Sequence, residues 1–163
     1  MAVALLVLCE GGDRILLQTI EFDGDKPEIW ALPGGRIEML ETSEEALVRE
    51  MQEELDTEVK IERLLWIVEE FWNNDMRDGR PEHGVGFYYL MTFPPESDVH
   101  RHEDVFEGHE ENYRLYLKWH PLDVLDQIDV RPSFLKSAIL SLPDTLLLTS
   151  YAGTPFSEDE GAS

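Results

Sequence analysis

Apolar residues recur along the chain with two periods, and the changes between them mark out strands and helices. Ala2 to Leu8 is a continuous apolar, β-competent run, Gly11-Gly12-Asp13 reads as a turn, and "RILLQTI" follows as a second strand. A polar loop, "EFDGDKPE", leads to the short strand "IWALP" and then to Gly34-Gly35. The period then becomes helical. Thr42 stands as an N-cap with Glu45 three residues later, a capping box, and Leu47, Val48, Met51 and Leu55 follow at helical spacing. From Val59 to Trp72 the pattern predicts one or two strands, "NNDMRDGR" a turn-rich connection, and "VGFYYLMTF" a strong strand. Pro94 to Asn112 is a predicted loop rich in acids and histidines, long enough to point to function.

"YRLYLKW" continues as a strand, "HPLDVLDQI" as a short turn or helix, and "PSFLKSAILSL" as a helix with Pro132 near its start and Pro143 past its end. "TLLLTSY" adds a last strand, and "GTPFSEDEGAS" is expected to be a loose tail. No internal repeat or interdomain linker breaks this order. The expected fold is α/β (α+β): a mixed sheet covered by helices on both faces, forming one domain over residues 1–151, with a tail at 152–163.

Composition narrows the function. A chain of 163 residues with 42% apolar and 10% aromatic content has the make-up of one ordinary globular domain. The formal net charge of -22 is not ordinary. It opposes broad nucleic-acid binding and anionic membrane surfaces, and it suits a protein that collects divalent cations. Cys9 alone excludes an intrachain disulfide framework. The start "MAVALLVLCE" is superficially like a lipoprotein signal, but it has no basic segment, its apolar run is short, and Leu8 is large where a small residue is wanted. It reads better as a first buried strand. No apolar run approaches the roughly 18 residues of a membrane span. No membrane partner is expected, and the expected location is the cytoplasm.

The segment "REMQEE" carries the candidate chemistry. At about 100° per residue, with Glu50 at zero, Glu54 lies at about +40° and Glu53 at about -60°. Leu47, Met51, Leu55 and Val48 spread from about +60° to +160°. The three carboxylates therefore border the expected core-facing stripe, and Arg49 stands four residues before Glu53, placed to restrain it. Like charges at this spacing repel one another, and a hard dication reverses the sign. The plain alternative is a solvated acidic face. The double glycine ahead of the helix adds backbone conformations closed to other residues, able to aim a carbonyl at a metal.

Gly35, Glu41, Arg49, Glu50, Met51, Glu53 and Glu54 fall in the register G-x(5)-E-x(7)-R-E-U-x-E-E, where U is bulky and apolar. In this the chain resembles the Nudix hydrolases. Asp56 and Thr57 depart from the glycine and apolar residue that close the family signature, which puts the helix exit in question rather than the ligands. "W-x-L-P-G-G-x-x-E" at Trp30 to Glu38 and "W-x-P-L" at Trp119 to Leu122 extend the likeness. The resemblance implies a Nudix α/β/α sandwich that hydrolyses a nucleoside diphosphate linked to a further group, using Mg²⁺ or Mn²⁺. It implies Glu50, Glu53 and Glu54 as metal ligands with a carbonyl of the glycine turn, Gly34. It makes Glu41 an outer helper and gives Arg49 the orienting role. The general base is Glu53, or alternatively Glu107, Glu110 or Glu111 of "EGHEEN".

The scatter of His83, His100, His102 and His109 matches no metal-ligand spacing. Phe87, Tyr88, Tyr89, Phe93, Trp30, Phe71 and Trp72 are each read first as core, with a base-stacking residue among them as the functional alternative. Motifs of the NADH-cleaving and ADP-ribose branches are absent after the box, and Cys9 is misplaced for the isomerase branch. A small free nucleotide, such as a canonical or oxidised nucleoside triphosphate, is the leading substrate class. ADP-ribose-like and dinucleoside substrates, a non-catalytic nucleotide-binding module and a homodimer stay open.

Overall fold

A computed structural model of the chain describes residues 2–7, 12–20, 28–74 and 80–152. Cys9, residues 21–27 of the expected loop "EFDGDKPE", residues 75–79 of the expected connection "NNDMRDGR" and the tail from 153 onward lie outside the described residues. In chain order the elements are β1 (Ala2–Val7), β2 (Arg14–Thr19), β3 (Ile29–Ala31), β4 (Gly34–Arg36), α1 (Ser43–Leu55), β5 (Lys60–Asn74) and β6 (Arg80–Thr92). A 3₁₀ turn at Asp98–Arg101 follows, then β7 (Phe106–Gly108), β8 (Leu115–Pro121), a 3₁₀ turn at Leu122–Gln127, β9 (Asp129–Arg131), α2 (Leu135–Ala138) and β10 (Leu147–Ala152).

The α+β class and the mixed pairing expected from the sequence are both present, but the strands divide into two five-stranded sheets. One runs β10-β5-β6-β1-β4 and the other β7-β8-β2-β3-β9. In the first, β10 is parallel to β5 and β1 to β6, while β5 with β6 and β1 with β4 are antiparallel. In the second, β8 and β3 flank β2 antiparallel, and β9 adds to β3 in parallel.

Alternation along the central strands explains why "ILL" in β2 is apolar without a break. Leu16 joins a core with Ala46, Leu47 and Met51 of α1 and with Tyr89 and Met91 of β6. Its neighbours Ile15 and Leu17 join a second core with Trp30, Tyr88, Leu125 and Leu135. Both faces of the strand are buried, so neither wants polar residues. Helix α1 covers one core; the Leu122–Gln127 turn and α2 cover the other. The layers therefore follow the expected sandwich.

Several elements differ from the sequence reading. Residues 60–74 form one strand, with register shifts between Ile61 and Arg63 and between Leu64 and Trp66. The second shift lets consecutive Leu65 and Trp66 both enter the same core, an arrangement strict alternation forbids. The helix expected over "PSFLKSAILSL" shortens to four residues, and the loop over 94–112 contains a 3₁₀ turn and β7. The strand expected at "YRLYLKW" begins only at Leu115, leaving Tyr113 and Arg114 ahead of it. No helix among the described residues is long and apolar enough to cross a membrane.

Candidate metal and active centre

Helix α1 starts as its sequence requires. The Thr42 side chain accepts from the Glu45 N–H at 3.2 Å, and the Glu45 carboxylate accepts from the Thr42 N–H at 2.8 Å. The hydroxyls of Ser43 and Tyr89 lie 2.6 Å apart and tie this end to β6. At the other end Asp56 adopts the left-handed conformation, φ 47° and ψ 42°, and its N–H donates to the Gln52 carbonyl. Asp56 occupies the place of the signature glycine, and aspartate is among the few residues that tolerate this region. The Gln52 side chain donates to its carboxylate at 2.8 Å. The Thr57 hydroxyl lies 3.0 Å from that of Ser97. The helix exit is thus closed by side chains instead of by glycine.

The buried face of α1 differs from the one expected. Ala46, Leu47, Met51 and Glu54 are buried, whereas Val48 is 44% exposed. The buried arc is centred on Glu54, so this carboxylate sits within the core-facing face and not at its border. The cause is tertiary: α1 rests in the corner where β4 and β1 meet the Leu16 core, and Gly35 opens room there. A Cβ at Gly35 would collide with the Glu50 carboxylate. Gly34, at φ 147°, has a backbone conformation that favours glycine.

Arg49 is the hub of the carboxylates. Its Nε donates to Glu41 Oε1 at 2.7 Å and its Nη2 to Glu41 Oε2 at 3.0 Å. Nη1 donates to Glu50 at 3.1 Å and to Glu53 at 3.2 Å, and Nη2 also reaches the Arg36 carbonyl at 3.0 Å. These five bonds use all five N–H donors of the guanidinium. Hydrogen bonding from Arg49 holds Glu41 below the usual carboxylate range, helped by the Glu38 N–H, which donates to Glu41 at 2.9 Å.

The other acids have the opposite tendency. Burial raises Glu50 despite the Arg49 bond. Burial, then repulsion from Glu50, Glu110 and Glu53, pushes Glu54 up to about 8. Glu54 Oε2 is buried and has no hydrogen-bond partner among the described residues. Glu53 is the outward member, 60% exposed at its side chain.

The acidic loop is docked on this helix. The His109 N–H donates to the Glu54 carbonyl at 2.8 Å, and Gly108 lies where a Cβ would press on Leu117, Leu115 and that carbonyl. The docking places Glu110 close enough to repel Glu50 and Glu54. A cleft of about 720 Å³ opens there, lined by Glu53, Glu107, Glu110, Glu111, Tyr113 and Arg114 together with Gly108 and His109. All three loop candidates for the base thus lie on the cleft with Glu53. Tyr113 and Arg114 were missed from the sequence because "YRLYLKW" reads as one strand.

Among the described residues no three His, Cys, Asp or Glu side chains converge as a ready-made metal cage. The donor set still fits a hard dication: it is oxygen-only, one oxygen is buried and orphaned, and the repulsion between the carboxylates calls for a cation. The histidines stay apart, with His83 stacked on Phe71, His102 on Phe106 and His100 on Trp119. Of the aromatic candidates, Trp30, Tyr88, Tyr89 and Phe93 are core and Phe87 packs against it. Phe71 is partly exposed, away from the cleft, and the Trp72 side chain lies outside the described residues.

Among curated proteins none matches the chain. Solved structures share the fold. An ADP-ribose pyrophosphatase from Streptococcus suis superposes with a TM-score of 0.57 at 17% identity, covering 92% of this chain and 97% of its own. A mutator MutT protein from Bacillus halodurans gives 0.58 at 18%, covering 94% and 90%. A NUDIX hydrolase from Nitrosomonas europaea gives 0.58 at 17%, covering 93% and 78%. At these identities the likeness concerns the fold. The NUDIX domain family model matches residues 1–138, which include α1, its arginine hub and the docked loop, and the chain belongs to the Nudix hydrolase family.

Proposed function

We propose that the protein is a Mg²⁺-dependent pyrophosphohydrolase acting on a small free nucleotide, with a canonical or oxidised nucleoside triphosphate as the leading substrate. The observation that carries this reading is the buried Glu54 oxygen without a partner among the described residues, repelled by Glu50 and by Glu110 and Glu53, the latter two lining an acidic cleft. Glu50, Glu53, Glu54 and the Gly34 carbonyl would hold the ion. When bound, Mg²⁺ neutralises the pyrophosphate and makes its phosphorus open to attack by water. Arg49 holds Glu50 and Glu53 by one hydrogen bond each, and Glu41 anchors Arg49. The attacking water gives its proton to a carboxylate on the cleft. Glu53 and Glu110 compete for that role: both line the cleft, Glu53 is the more accessible to solvent, and Glu110 is close enough to repel Glu50 and Glu54. The same reading treats residues 1–151 as one domain.

The test is hydrolysis of nucleoside triphosphates, nucleotide sugars, ADP-ribose and dinucleoside polyphosphates with and without Mg²⁺, scored by product identity. Mg²⁺-dependent release of a nucleoside monophosphate and pyrophosphate from a triphosphate is expected. Faster turnover of ADP-ribose or a dinucleoside polyphosphate would move the substrate class. Binding without turnover of any of them would make the chain a nucleotide-binding module.

A further inference from the structure

The cleft contains two groups that proton transfer and metal binding leave unused. Tyr113 and Arg114 stand immediately before β8, whose first residue, Leu115, is fully buried and pairs with Gly108 of β7. Their backbone is therefore anchored on a two-stranded ladder locked to α1 through His109 and Glu54. A pair mounted this way keeps its position relative to the glutamates.

Four of the residues lining the cleft are glutamates, and Arg114 is the one cation among its described lining. Such a wall repels a polyphosphate wherever bound metal does not neutralise it. Arg49 cannot help, because all five of its donors are used within the protein. Arg114 is differently placed. Its interactions are with the Tyr116 hydroxyl and, loosely at 4.0 Å, with Glu107, and its side chain is 76% exposed. Exposed pairs of this kind contribute little, so exchanging Glu107 for a phosphate costs little, and a guanidinium fits phosphate oxygens two at a time. Tyr113 is 43% exposed on the same cleft, with Glu110 nearby. Its partly exposed ring on the cleft lining offers aromatic surface to a ligand there. The cleft volume lies within the range typical of small-molecule sites.

We propose that Tyr113 and Arg114 form the substrate-recognition wall: Arg114 binds a phosphate not held at the Glu50–Glu54 carboxylates, and Tyr113 stacks on the base. The proposal rests on the pyrophosphohydrolase reading and names the residues that choose the substrate. It explains how so acidic a cleft selects a nucleotide over a bare metal ion. The arginine supplies charge where no carboxylate-bound cation reaches, and the ring supplies a contact that tolerates different bases.

Equilibrium binding of ADP and of inorganic pyrophosphate to the full chain at saturating Mg²⁺ separates the two contributions. Arg114→Gln is expected to weaken both probes by roughly tenfold, the loss of a charged hydrogen bond. Tyr113→Ala is expected to weaken ADP but not pyrophosphate, and Tyr113→Phe, which keeps the ring, to bind ADP like wild type. Both positions are exposed, so melting temperatures are expected to stay unchanged. In turnover, Arg114→Gln raises KM while kcat stays within about twofold. If wild type hydrolyses nucleotides and both variants bind like wild type, the recognition wall is wrong and the hydrolase reading stands. If the variants lose binding as stated while no form turns over any nucleotide, recognition stands and the hydrolase reading falls. If wild type neither binds nor hydrolyses, both fall.

Discussion

Arg49 grips Glu41 through two parallel hydrogen bonds, Nε to Oε1 at 2.7 Å and Nη2 to Oε2 at 3.0 Å, and this fork leaves Nη1 to bridge Glu50 and Glu53. A lysine there keeps the charge but has one nitrogen for the work of three. Arg49→Lys is therefore expected to cost roughly 1–3 kcal/mol in chemical denaturation, within the usual worth of charged hydrogen bonds. A variant as stable as wild type would show that the fork adds nothing beyond charge.

Gly35 is required by the space Glu50 occupies. Gly35→Ala puts a methyl into the Glu50 carboxylate, which must then turn away or push β4 aside. Activity is expected to fall by more than about tenfold, because misplaced catalytic groups are costly. The rise of melting temperature on adding Mg²⁺ is expected to shrink in parallel. An alanine variant with full activity would remove the packing argument.

Glu54 is expected to trade stability for ion binding. Its buried carboxylate has an orphaned oxygen and three acidic neighbours, so Glu54→Gln removes repulsion and is expected to raise the melting temperature without divalent ions. The same change is expected to blunt the rise that Mg²⁺ produces in wild type by linkage. An identical Mg²⁺ response in both proteins would point to diffuse binding over the acidic surface.

His120 predicts an acid-sensitive step. It is 6% exposed, lies edge-on to Trp30 with centroids 4.4 Å apart, and burial, followed by the charge of Lys118, lowers it to about 4. The unfolded chain takes up this proton near pH 6.5, the folded chain only near 4. Stability is therefore lost as pH falls through that window, on the order of 3 kcal/mol in total. His120→Phe retains the aromatic contact without the titration. The variant is expected to lack this loss, so in denaturation curves from pH 7 to 4 its stability rises relative to wild type toward the acid end. Parallel curves would mean that His120 titrates alike in both states.

The two candidate bases are separable by amide substitution. If Glu53 takes the proton, Glu53→Gln is expected to lower kcat by at least about a hundredfold, with Glu110→Gln and Glu111→Gln mild. If Glu110 takes it, Glu110→Gln is the damaging change and excess Mg²⁺ partly restores Glu53→Gln. Recovery of Glu53→Gln at high Mg²⁺ beside a dead loop variant would settle against Glu53.

Much of this protein is determined by local order along the chain. The capping box at Thr42 and Glu45, the spacing of Arg49, Glu50, Glu53 and Glu54, and the apolar runs "RILLQTI" and "VGFYYLMTF" depend on residues within a turn or a strand of one another. Helical and extended periods are properties of neighbours, so they are readable from the sequence, and with them the family and the candidate ligands.

What the tertiary structure alone decided depends on residues far apart in the chain. It set which face of α1 is inside, so that Glu54 is buried and Val48 exposed, because the corner formed with Gly35 and the Leu16 core selects the face. It brought Glu110, Tyr113 and Arg114 to the glutamates with a backbone bond from His109 to Glu54, and it started β8 only at Leu115, where the ladder with β7 begins. Hydrophobic period carries no information about where a loop docks. Docking is fixed by a carbonyl left open at the helix end and by a glycine small enough to approach it, and those two meet only in the folded chain.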